Sequence, residues 1–108
     1  MSTFDDFLDS VKDGAKDLAK NIFDDYQTEA QDDAEAFLEK TKVDLKRWSI
    51  LLAQGELNQQ DFGDLVLAKK ALAEIHFLRQ KGVALAKLER FRSGLVDLVV
   101  DTAVDTFL

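Results

Sequence analysis

The chain contains no cysteine and no proline. The absence of cysteine excludes disulfides, thiol nucleophiles and zinc–thiolate sites. The absence of proline leaves nothing that forces a helix to stop, which favours long helices over turn-rich β-structure. Histidine, methionine, tryptophan and tyrosine occur once each, so no site that needs two imidazoles can be assembled within one chain. No apolar run approaches the ~18 residues that mark a membrane span. The opening "MSTFDDFLDSVKDGAK" has neither the basic start nor the apolar centre of a signal peptide. A cytoplasmic location is therefore expected.

What is present is globular. Apolar residues make up 46% of the 108 residues and charged residues 32%, enough for one domain with one core. The net charge of −7 speaks against nucleic acid, because phosphate contact needs a basic surface. The charge is unevenly spread. Residues 1–44 hold thirteen acids and five bases, and residues 45–92 hold nine bases and five acids. The last sixteen residues carry only Asp97, Asp101 and Asp105. The simplest consequence is internal complementarity, the acidic N-terminal part lying near the basic middle.

Apolar residues recur at three- and four-residue steps over most of the chain, which is the helical period. Phe4, Phe7, Leu8, Val11, Ala15, Leu18, Ile22, Phe23 and Tyr26 form a first stripe. Ser2 or Thr3 caps it, and Asp9–Lys12, Asp13–Lys16 and Asp17–Lys20 line its wet side. Ala30, Ala34, Phe37, Leu38, Thr41, Leu45, Trp48 and Leu52 form a second. At ~100° per residue the two stripes point roughly 90° apart. Either the chain breaks near "DDYQTEAQ", where Thr28 and Gln31 have capping-box spacing, or one long helix serves two partners. The break is favoured. The expected helices are 3–26, 28–54, 59–81 and 83–107, in an all-α antiparallel bundle of three or four amphipathic helices.

The stretch "GELNQQDFG" contains Asp61-Phe62-Gly63, the metal-binding tripeptide of protein kinases. A kinase also needs a glycine-rich phosphate loop and an HRD-type catalytic loop, and neither is present. Capping accounts for every residue instead. Gly55 ends one helix in the left-handed region, Asn58 caps the next, and Leu57 and Phe62 have the spacing of a hydrophobic staple. Gly82 is the next stop. Gly14 and Gly94 lie inside helical patterns, where they permit close packing or a small kink.

Other candidates for chemistry are weak. His76, the single imidazole, lies beside Leu65 and Leu72 on the helical pattern, with no nucleophile or carboxylate at a useful spacing, so core-edge packing is expected. Asp24, Asp25, Glu29, Asp32, Asp33, Glu35 and Glu39 form an acidic run. It lacks the paired Glu-x-x-His units of a di-iron bundle and the glycine-centred loop of a calcium site. A solvated face is expected. Lys46-Arg47-Trp48 suggests a small anion patch, but Trp48 continues the second stripe into the core. No catalytic residue, metal or cofactor is predicted.

The third and fourth helices carry more apolar surface than one stripe each. Leu67, Ala71, Ile75 and Leu78 form a second face on one. Val96, Val99, Val100, Val104 and Phe107 form a broad side on the other. These nine residues are the expected interface of a non-enzymatic interaction or assembly module, either a homo-oligomer or a module for another protein partner. The rival reading is a peripheral amphipathic protein coating a membrane or lipid-like surface. It is disfavoured because the polar faces of both terminal helices are acidic, where surface-seeking helices usually carry an excess of Lys and Arg.

Overall fold

The computed structural model describes residues 3–23, 25–69 and 81–108. Among them are four helices and no strands: α1 (Thr3–Ile22), α2 (Gln27–Ala53), α3 (Gln59–Leu67) and α4 (Leu85–Phe107). They form an all-α bundle. At about 1.5 Å per residue the 27-residue α2 is about 40 Å long, which accounts for the 42 Å long dimension of the molecule.

The chain breaks between α1 and α2, so the two stripes belong to two helices. The ~90° difference in direction is absorbed between the end of α1 at Ile22 and the start of α2 at Gln27. Phe23 leaves α1, its N–H still bonded to the Ala19 carbonyl at 2.8 Å, and its ring is buried edge-on to Phe91 with centroids 5.5 Å apart. The expected capping box at Thr28 does not form. Helix α2 starts one residue earlier, with Tyr26 at the N-cap and no side-chain cap. Ala30 donates to the Tyr26 carbonyl at 3.0 Å, so the backbone closes the first turn unaided.

The α2–α3 joint follows the capping logic. Gly55 has φ +78°, and two backbone bonds close the end of α2: Gly55 N–H to the Leu52 carbonyl at 3.1 Å and Glu56 N–H to the Leu51 carbonyl at 3.0 Å. That is the Schellman pattern. Asn58 is extended and its side chain accepts from the Asp61 N–H at 2.7 Å. Phe62 is fully buried and Leu57 packs against the core. Asp61 itself is exposed. Gly63 gives way to Val100, whose Cγ2 would lie 3.3 Å from a Cβ added there. The Asp-Phe-Gly tripeptide is thus a cap, a core ring and a packing gap.

Helix α3 ends earlier than the expected 59–81, and residues 70–80 of that range lie outside the described residues. It closes at Leu67, with Ala68 as C-cap. The buried line of α3 is Phe62 and Val66, and a helix continued by one more turn would carry Lys69 onto that line. The chain leaves the helix there instead, and the Lys69 amine meets Asp44 on α2 and lies over the Trp48 ring, 5.8 Å from its centroid.

Helices α1 and α4 run antiparallel and form the centre of the fold. Phe7 meets Phe107 (ring centroids 5.4 Å apart) at one end and Phe23 meets Phe91 at the other. Between them two glycines sit opposite leucines of the facing helix. A Cβ on Gly14 would lie 2.5 Å from Leu98 Cδ1, and one on Gly94 would lie 2.9 Å from Leu18 Cδ1. Both glycines therefore serve close packing. The core is otherwise the two sequence stripes together with Phe62, Val66, Leu88, Phe91, Leu95, Val99 and Ala103. Buried Thr41 and Ser49 donate to the carbonyls four residues back, Phe37 and Leu45, at 2.6 and 2.7 Å, so neither hydroxyl is left without a partner.

Candidate functional site

The interface residues expected from the sequence scatter. Val99 is fully buried in the chain's own core. Val96, Val100 and Phe107 are half-buried and pack against that core, and Val104 is half-buried. Helix α4 touches α1, α3 and α2, and a helix with three neighbours needs a wide apolar arc to serve them. Its apolar breadth is used largely within the molecule. Leu67 is 60% exposed at the end of α3. Ala71, Ile75 and Leu78 lie outside the described residues, as does His76.

The acidic run is not one solvated face. Asp25, Asp32, Glu35 and Glu39 are exposed, but Asp33 is buried and Glu29 half-buried, with the Glu29 Oε2 reaching no hydrogen-bond partner. Asp33 shares the helical face of Ala30, Ala34 and Phe37, which turns it inward. Among the described residues no three His, Asp or Glu side chains cluster as a metal site. The grooves between α1 and α2, lined by residues such as Lys12, Asp13, Lys16, Asp32 and Glu35, are polar and open.

A different surface stands out, and the sequence reading missed it. On the outer side of α2, Val43 is 80% exposed and Ile50 50% exposed. With Leu51, Lys46 and Arg47 they line a shallow depression of about 330 Å³. Val43 and Ile50 are seven residues apart, two helical turns, so they share one side. The signal in the sequence was a Val and an Ile outside the core stripe of the second helix, among charged neighbours. In isolation that reads as ordinary surface scatter.

Beside this depression lies an ionic tether. Asp44 Oδ1 accepts from Arg47 at 2.9 Å, and Oδ2 accepts from Lys69. The Lys69 hydrogen bond holds the Asp44 carboxyl below the ordinary aspartate range; desolvation opposes it, and the Lys69 and then the Arg47 charge add to the lowering. Asp44 therefore stays ionised, and it joins α2 to the residue that follows α3. It is also where the acidic first part of the chain meets bases of the middle. Trp48, under the Lys69 amine, is buried as expected.

No helix among the described residues is long and apolar enough to cross a membrane. Compared with protein-family models, curated proteins and solved structures, this chain matches none.

Proposed function

We propose that this chain is a non-enzymatic interaction module that assembles with copies of itself. The observation that carries the reading is the exposed apolar pair Val43 and Ile50 on a rigid helix, with Leu51 at its edge. A surface of this kind is what association removes from water. Full burial of a large apolar side chain is worth roughly 1.5–3 kcal/mol. Val43 exposes 80% and Ile50 50% of its surface, so covering both in two copies is worth roughly 4–8 kcal/mol, which offsets only the lower part of an association cost of about 4–15 kcal/mol. The expected affinity is therefore weak, no tighter than about micromolar. The scarcity of residues suited to catalysis supports the same reading, since the chain holds one histidine and no cysteine.

A second reading has one observation in its favour. Lys46 and Arg47 flank the apolar pair, and a basic rim around an apolar helix face suits an anionic lipid surface. The test is the mass in solution by light scattering, with and without phosphatidylserine vesicles. A dimer or larger species at micromolar concentration, reduced to monomer by Val43→Asp with Ile50→Asp, is the expected outcome. A monomer that floats with vesicles replaces assembly by surface coating. A monomer that ignores them leaves neither reading standing.

A further inference from the structure

The outward side of α2 is graded in charge. Its N-terminal half exposes Asp32, Glu35 and Glu39, which also border the groove shared with α1; Lys40 is exposed at its middle, and its C-terminal half exposes Lys42, Lys46 and Arg47. An apolar line runs through the gradient at seven-residue steps: half-buried Ala36, then Val43, then Ile50. Seven residues are nearly two full turns, so the three stay on one side of the helix with a drift of only ~20° per step.

A face graded in this way is complementary to itself only when reversed. Two copies laid side by side in the same direction bring acid to acid and base to base. Turned end for end about Val43, they bring residue 36 to residue 50 and residue 39 to residues 46–47. Closed two-fold symmetry, the commonest form of self-association, supplies that reversal when its axis crosses the helix.

We infer that the outer faces of α2 from two copies pair in opposite directions, with the two-fold axis beside Val43. Ile50 then covers Ala36 of the second copy, and Glu39 faces Lys46 of the second copy. Glu39 and Lys46 are themselves seven residues apart, so they lie on the same flank, and that flank meets itself in an antiparallel pair. The opposite flank brings Lys40 toward Arg47 of the second copy. This like-charge approach is softened because Arg47 is already paired with Asp44, and Lys40 is also engaged in its own chain. An anionic lipid surface fits the face less well, since Asp32, Glu35 and Glu39 share it with the bases. The inference rests on the self-association reading and adds the surface, direction and register.

The chain has no cysteine, so a single Val43→Cys variant carries the only thiol. A disulfide needs Cβ atoms about 3.5–4.5 Å apart, which a position on the axis provides. Under mild oxidation Val43→Cys is expected to become covalent dimer faster than Asp17→Cys, on the exposed side of α1. Glu39→Lys alone and Lys46→Glu alone are each expected to weaken the dimer about tenfold, since symmetry makes each pair occur twice. The double variant is expected to recover most of the loss, because both charges reverse together. Circular dichroism checks that each variant remains helical. A wild-type dimer with neither selective cross-linking nor charge rescue overturns this register and leaves self-association standing. A wild-type monomer at high micromolar concentration, with Val43→Cys no faster than Asp17→Cys, overturns both. If that monomer binds phosphatidylserine vesicles more tightly as Glu39→Lys, the face belongs to lipid.

Discussion

Gly55 and Asn58 hold the α2–α3 joint by different means. Gly55 occupies φ +78°, where a Cβ would meet the following carbonyl oxygen even though the space around it is open. Gly55→Val should therefore cost about 1–2 kcal/mol, from backbone strain rather than collision. Asn58→Ala removes one acceptor from the first turn of α3 and should cost on the order of 1 kcal/mol. Both are read from the shift of the urea denaturation midpoint at constant slope. Asp44 makes a prediction in pH. Its carboxyl titrates in the folded chain below the 3.8 of a free aspartate, so its contribution is complete above that value and is lost as pH falls through the folded value. The stability difference between wild type and Asp44→Asn should be constant from about pH 5 to 8 and shrink below about pH 4. A difference that persists unchanged at pH 2 would mean that the tether to Lys69 does not depend on charge.

At the scale of elements, α4 shows how a broad apolar side can serve several neighbours within one chain. Its apolar residues serve α1 on one side, where Leu98 meets Gly14 and Phe107 meets Phe7, and α3 on the other, where Val100 sits against the bare backbone of Gly63. Val100→Asp should therefore destabilise the fold by about 1–3 kcal/mol, as for burial of a polar group without a designed partner. While the protein stays folded its association state should not change. The check is thermal melting combined with light scattering below the melting point. Helix α3 teaches the complementary point. Apolar residues recur in the sequence past Leu67, but α3 ends there, and Lys69 is what would continue its buried line of Phe62 and Val66. Neither the ending at Leu67 nor the starting point of α2 at Gln27 had a glycine or proline to announce it.

For the whole molecule, two central helices cross-braced by glycine–leucine contacts leave α2, the longest helix, with one side against the core and the other toward solvent. That outer side keeps Val43 and Ile50 out of the core while holding them rigidly in line. On the proposed reading, that side is the one through which copies associate by many modest contacts.

Local rules sufficed wherever neighbours in sequence are neighbours in space. The helical class, the inward faces of α1 and α2, the Gly55–Asn58 joint and the burial of Trp48 all follow from period, capping and side-chain size. Residues 3 and 4 apart, or caps within one turn, interact whatever the rest of the chain does. What the tertiary structure alone decided is which apolar residues remain after packing. Periodicity reports that a residue lies on a face, but not how many helices that face will meet. Val99 and Val43 are both valines on helices with charged neighbours, yet one is fully buried and the other 80% exposed. The difference is that α4 has three helices around it and the outer side of α2 has none among the described residues. That number is fixed by the assembly of the bundle, through contacts between residues far apart in the chain.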